Sequence, residues 1–193
     1  ADLPKAANLK WLQTPSSGIA PYAIKELYQH DDILITRGTG TYGRQISDHI
    51  MGMVIGFNHH MFTYREYMHE HTWKRHVPPV DLWESTILII GLGDIGRQTA
   101  LRSKASGMHV IGIKRTLTEL PAGVDELHGP EALDSLLPRT DFVVIAANQT
   151  KETEGLLDAR RIDLMKKGSC LINVARGSLV DQDALIAALE RGH

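Results

Sequence analysis

At 193 residues, 42% hydrophobic and 23% charged, the chain has the make-up of a soluble globular protein, with room for one large domain or one domain and part of a second. Its net charge of −2 gives no footprint for nucleic acid or for an anionic membrane surface. A single cysteine, Cys170, excludes an intrachain disulfide framework and suits a reducing compartment, and its place in an apolar run predicts a buried, unreactive thiol.

No basic segment followed by an apolar one opens the chain, and the longest weakly polar run, residues 50–57, is far too short to span a bilayer. No membrane partner and a cytoplasmic location are therefore expected. Residues 9–13 alternate in polarity and read as a strand, closing in a turn-rich loop over 14–18. Pro21 suits the first turn of a short helix over 21–27. Residues 33–36 form a second short strand, followed by a glycine-threonine loop to residue 43. Two such βα-like units have no room for a core of their own, so residues 1–43 read as part of a domain.

From residue 44 a helical stripe runs through Ile46, Ile50, Met53, Val54, Phe57 and Met61. Gly52 and Gly56 offer it a small-residue packing face, and the neighbouring Asp48, His49 and His59 speak against a membrane-helix contact. Residues 59–76 are polar and aromatic together, with Phe62, Tyr64, Tyr67, Met68 and Trp73. They fit either a helix draped over its own domain or an arm packed on a partner subunit. Val77-Pro78-Pro79 is expected to end this helix.

The stretch that organises the rest is Thr86-Ile87-Leu88-Ile89-Ile90-Gly91-Leu92-Gly93-Asp94-Ile95-Gly96-Arg97. A strand without polar alternation suits a parallel strand buried on both faces. It runs into G-x-G-x-x-G and then into a helix, and that context separates a dinucleotide-binding turn from a merely structural one. Gly91 permits the tight turn, Gly93 lets the backbone approach a diphosphate, and Gly96 lets the helix pack closely. The helix N-terminus then faces the anion. Further on, a helix over 95–106 is closed by Gly107, a strand covers 108–113, and Pro130 opens a short helix over 131–137. Strands are expected over 141–147 and 169–175, with helices capped by Asp158 and Asp181 and ended by Gly168 and Gly192. This alternation predicts an α/β fold with a doubly wound parallel sheet, the cofactor domain occupying residues 44–193.

Ligands of such sheets sit beyond the carboxyl ends of the strands, which makes three more places informative. At the second strand's end, Lys114, Arg115 and Thr116 stand where an NAD site usually has an acid. Cations there favour the 2′-phosphate of NADP, with NAD possible if they are only solvated loop charges. At the next strand's end Ala147, Asn148 and Gln149 would wall the cofactor, with Thr150 and Thr153 as hydrogen-bond partners. At the last, Arg176 is placed either to hold a substrate carboxylate bidentately or to pair with Asp181 or Asp183. No metal site is expected: neither His59-His60 nor His69-x-His71 has the i, i+4 spacing that puts two ligands on one helix face. No histidine is predicted at a strand's carboxyl end beside the cofactor, and His193 reads as non-catalytic.

Gly91-Leu-Gly-Asp-Ile-Gly96, Thr150-Lys-Glu-Thr153 with Gly155-Leu-Leu, and Leu171-Ile-Asn-Val-Ala-Arg-Gly-Ser-Leu-Val-Asp181 together resemble the D-isomer-specific 2-hydroxyacid dehydrogenases. The stretch over 9–18 and the helix over 184–189 continue the likeness, which looks nearest the glyoxylate and hydroxypyruvate reductase branch because of Lys114-Arg115-Thr116. The resemblance implies a Rossmann domain with a partial flavodoxin-like substrate domain at residues 1–43, and hydride transfer between NADP or NAD and a small 2-keto or D-2-hydroxy acid. It carries a catalytic role to Arg176 and a carboxylate-cradling loop to Ser17, Gly18 and Ile19. It assigns the cofactor to Gly91, Gly93, Asp94, Ile95, Gly96, Lys114, Arg115, Thr116, Ala147, Asn148, Thr153 and Ala175. It also implies a homodimer through the 57–76 arm. Two departures stand out: Asn148-Gln-Thr-Lys-Glu-Thr153 lacks the family's proline wall, and Asp48 replaces a usual Glu. The family's proton donor, a histidine paired with a carboxylate, lies beyond the Arg and is not matched by any of these residues, so the chain reads as a fragment that binds dinucleotide and turns over poorly. The rival expectation is a dinucleotide-sensing, corepressor-like binding protein on the same fold.

Overall fold

A computed structural model of the chain describes residues 8–15, 18, 33–75, 78–79, 81–117 and 119–193. The chain divides into two compact units, residues 1–42 and 43–193. In the first, β1 (Trp11–Thr14) pairs in parallel with β2 (Leu34–Arg37), Trp11 opposite Leu34. Thr14 is buried, and the Trp11 indole donates to the Thr36 hydroxyl at 2.7 Å. Both strands sit one or two residues later than their sequence patterns suggest. The helix expected over 21–27 lies outside the described residues.

The second unit is a five-stranded, wholly parallel sheet in the order β5-β4-β3-β6-β7, built from β3 (Thr86–Ile90), β4 (His109–Ile113), β5 (Glu126–His128), β6 (Phe142–Ile145) and β7 (Cys170–Asn173). Numbered within the unit this is 3-2-1-4-5, the order of a Rossmann sheet, with its switch point between β3 and β6. The period of two sorts the central strand. Ile87 and Ile89 join Val110, Phe142 and Val144 in one core, while Leu88 and Ile90 join Ile111, Ile113, Val143 and Ile145 in the other. Both cores are needed because β3 is buried on either face. Each such side chain contributes about 1.5–3 kcal/mol by leaving water.

Two helices cover the first face: α1 (Gly43–Asn58), through Ile50, Met51 and Val54, and α3 (Asp94–Ala105), through Ala100. On the other face lie α4 (Leu133–Leu136), α5 (Ala159–Leu164) and α6 (Gln182–Glu190). The carboxylates of Asp158 and Asp181 accept from the Arg161 and Ala184 amides, so both predicted caps are in place. Cys170 is partly buried, and burial pushes its thiol pKa up, as suits an inert cysteine.

The long helical stripe is interrupted. After α1 the chain turns at His60, whose φ of 53° is left-handed, and resumes as α2 (Met61–His69). Gly56 leaves room where the chain folds back, since a Cβ there would lie 3.3 Å from the Phe62 ring. Phe62 lies against this position, whereas Gly52 faces open space. Phe57 meets the core residue Phe142 edge-on, ring centroids 6.1 Å apart, but is itself exposed, as is Met61, which leaves the stripe. α2 ends well before the two prolines. His71 takes φ 52°, its amide bonds to the Met68 carbonyl and that of Thr72 to Tyr67, a Schellman closure. Val77 lies outside the described residues.

β5 is an element the sequence patterns do not announce. Its Glu126 accepts from Arg139 at 2.8 Å and meets Nε2 of His109 and of His128 at 2.7 and 3.0 Å. The two imidazoles and then the guanidinium hold the Glu126 carboxyl down at about 2, where its ordinary value is 4.5. A carboxylate favoured by the fold contributes stability above its unfolded pKa, lost as pH falls through the folded one. The stability of the protein is therefore expected to drop between about pH 5 and pH 2. Glu126→Gln should flatten that limb in urea titrations across pH, and an unchanged limb would remove Glu126 from its cause.

No helix among the described residues is long and apolar enough to cross a membrane, and none of their His, Cys, Asp and Glu side chains form a group of three suited to a metal ion.

Candidate functional site

Three carboxyl ends, those of β3, β4 and β6, open on one cleft of about 290 Å³ at the switch point of the sheet. Its floor is the glycine turn. Gly91 has φ +99° and donates its amide to the Ile113 carbonyl at 2.9 Å. A Cβ on Gly91 would fall 2.7 Å from the Ala147 backbone, so only glycine lets β3 leave the sheet this close to the end of β6. Gly93, extended at the N-cap of α3, has no side chain with which to cap the first-turn amides. A Cβ there would meet no protein atom within 4 Å, although Gly93 lines the cleft. The uncapped helix start and the room kept beside it fit a diphosphate.

The walls carry the polarity. Lys114 and Arg115 line the cleft immediately after β4, and the Lys114 amide donates to the His128 carbonyl, extending the β4–β5 ladder to the rim. Pro130 and Leu133 supply an apolar side. Opposite them, Ala147, Asn148, Thr150, Glu152 and Thr153 come from the loop after β6. The family's proline rigidity is absent here, and Thr153 supplies a local alternative: its hydroxyl accepts from the Thr150 amide and donates to the Asn148 carbonyl, both at 2.8 Å.

Of the cofactor residues read from sequence, the cleft gathers Gly91, Gly93, Lys114, Arg115, Ala147, Asn148 and Thr153, whereas Asp94, Ile95, Gly96, Thr116 and Ala175 are not among its lining, nor is the catalytic candidate Arg176. Asp94 turns its carboxylate to the start of α1 and accepts from the Gly43 amide at 2.9 Å, so the motif's one acid faces the N-terminus of another helix. Ile95 packs against the core and Gly96 is buried beneath Gly91. Arg176 is exposed beyond β7, its guanidinium donating to the Ala175 carbonyl at 2.8 Å. The alternative pairing with Asp181 is not formed, since that carboxylate caps α6. Ser17 and Ile19 lie outside the described residues, and Gly18 belongs to the first unit, partly buried.

Two features escaped the sequence reading. His128 closes β5, placing a histidine at a carboxyl end after all, but its ring is turned to Glu126 and does not line the cleft. Glu152 lines the cleft with the two cations; Thr-Lys-Glu-Thr marks a turn, and nothing in its spacing says which way the acid faces.

The sequence profile of the "D-isomer specific 2-hydroxyacid dehydrogenase, NAD binding domain" family matches residues 51–193. A glyoxylate reductase of Thermococcus gammatolerans is 42% identical over 113 residues, 58% of this chain and 33% of that protein. A D-isomer-specific 2-hydroxyacid dehydrogenase family protein of Aeromonas salmonicida superposes with a TM-score of 0.91 at 32% identity, over 98% of this chain and 60% of the other. A D-isomer-specific 2-hydroxyacid dehydrogenase of Xanthobacter autotrophicus, solved with NADPH, superposes with a TM-score of 0.81 at 32% identity, over 99% of this chain and 60% of the other. The chain thus spans about a third of the length of the curated relative and three-fifths of the solved ones. With the Rossmann sheet, the glycine turn and the profile in agreement, the chain belongs to the D-isomer-specific 2-hydroxyacid dehydrogenase family.

Proposed function

We propose that the second unit holds NADP in preference to NAD, in a protein that reduces a small 2-keto acid to the D-2-hydroxy acid. The observation that carries this is the cleft at the switch point, where the glycine turn meets Lys114 and Arg115 in place of an acid. The glycine turn and the start of α3 would hold the diphosphate, the two cations the 2′-phosphate, and Ala147 and Asn148 the wall beside the nicotinamide end. The bound dinucleotide supplies the hydride. Arg176 would orient the keto acid by its carboxylate and steady the charge developing on the carbonyl oxygen. Residues 1–42 are read as part of the substrate domain, with the carboxylate loop around Gly18.

Among the described residues no histidine lines the cleft, so these 193 residues are expected to bind dinucleotide with little turnover. Met68 and Trp73, 76% and 96% exposed, favour burial of the 57–76 arm against a second copy, and a solution mass twice that of the chain is the expected reading. Fluorescence titration should give a lower Kd for NADP+ than for NAD+. Binding of neither overturns the cofactor reading, and cofactor-dependent association without any turnover in a protein completing the family's length would favour a dinucleotide sensor instead.

A further inference from the structure

Resting on that reading of the cleft, we propose that Glu152 sets its discrimination between the two dinucleotides, by competing with a 2′-phosphate for Arg115 and by offering ribose hydroxyls an acceptor. Glu152 is the one carboxylate among the described residues lining the cleft, and it faces a rim with two cations, Lys114 and Arg115. The end of β4 has no acid to accept from a 2′-hydroxyl, yet the opposite wall brings one to the same cleft. That wall is anchored, because Thr153 ties the loop on either side of position 152. The Thr150 hydroxyl and the Glu152 backbone, then the Arg115 charge, hold the Glu152 carboxyl below the usual carboxylate range, so it is ionised at neutral pH.

A phosphate approaching Arg115 across this cleft enters the field of the Glu152 carboxylate and is repelled by it. An unphosphorylated ribose meets no such opposition and can donate to Glu152. One side chain therefore weakens NADP and strengthens NAD, moderating the preference that the cations create.

Glu152→Gln is the direct test, since the amide oxygen still accepts from Thr150 while the charge is gone. Titrated with NADP+ and with NAD+ separately, the variant is expected to bind NADP+ more tightly and NAD+ no better, raising the ratio of the two dissociation constants roughly three- to tenfold over the parent. In an Arg115→Ala background the same substitution should move the NADP+ constant much less. A ratio unchanged in Glu152→Gln, or both constants moving by one common factor, overturns the assignment. Binding of neither dinucleotide by the parent protein instead overturns the reading of the cleft, so the two failures are distinguishable.

Discussion

Gly96→Ala is expected to cost the second unit about 3 kcal/mol, the scale of a core overpacked against backbone. Its new Cβ would sit 2.0 Å from the Gly91 carbonyl oxygen, 3.0 Å from the Gly91 carbonyl carbon and 3.3 Å from Ile89. No rotamer relieves a backbone clash, and Gly91 cannot retreat, since its amide is bonded to Ile113 and its own Cβ position lies against Ala147. The first turn of α3 must therefore lift from β3, disturbing the face on which Ala100 packs with Ile87 and Ile89. The urea midpoint should fall by about 1 M or more. Gly93→Ala is the companion measurement. A Cβ there meets nothing within 4 Å and the backbone is extended with φ −76°, so stability should change by less than about 0.5 kcal/mol. Dinucleotide affinity should nonetheless drop at least about tenfold if the diphosphate occupies the room that Gly93 leaves. A Gly96→Ala protein as stable as its parent would contradict the packing argument, and a Gly93→Ala protein with unaltered affinity would move the diphosphate elsewhere.

These two glycines also mark what a reader of the sequence can and cannot see. Continuous apolar runs such as residues 87–90 and 142–145 announce buried parallel strands, because burial on both faces leaves no polar position. The caps at Asp158 and Asp181 are equally legible, each carboxylate serving the helix that follows at once. Helix ends were harder. α3 and α6 close on Gly107 and Gly192, whereas α1 and α2 close on His60 and His71, which adopt the same left-handed conformation without the residue type that signals it. Histidine is tolerated there, and the apolar stripe running on through Met61 hides the break. β5 is three residues at a sheet edge, too short and too polar to show a period. In the cleft, the chain's own motifs place Gly91, Lys114 and Ala147, since each lies within two residues of a strand's end. Glu152 arrives from a turn whose direction depends on the Thr153 hydrogen bonds, and the same tertiary dependence turned Asp94 toward Gly43.

Replacing both Lys114 and Arg115 by Ala is expected to weaken NADP+ binding about 100-fold while leaving NAD+ within about threefold, the difference reporting lost charge-assisted bonds to the 2′-phosphate. The two side chains follow directly on β4, whose last residue, Ile113, is buried and whose ladder continues through the Lys114 amide to His128. They are thus carried by a rigid strand end, and little ordering is needed when a phosphate arrives. That distinguishes them from cations on a long loop, where the same bonds would be offset by lost side-chain and backbone freedom. The exposure of Arg115 sets the condition under which the effect is largest: it should shrink as salt rises from about 50 to 300 mM, because screening reaches surface charges first. NAD+ carries no 2′-phosphate and its diphosphate is proposed to lie at the glycine turn, so the double variant is expected to leave its principal contacts alone. Equal weakening of both dinucleotides would reduce the pair to a general field over the cleft. No change in either would return Lys114 and Arg115 to the solvent and remove the ground on which a preference for NADP is proposed.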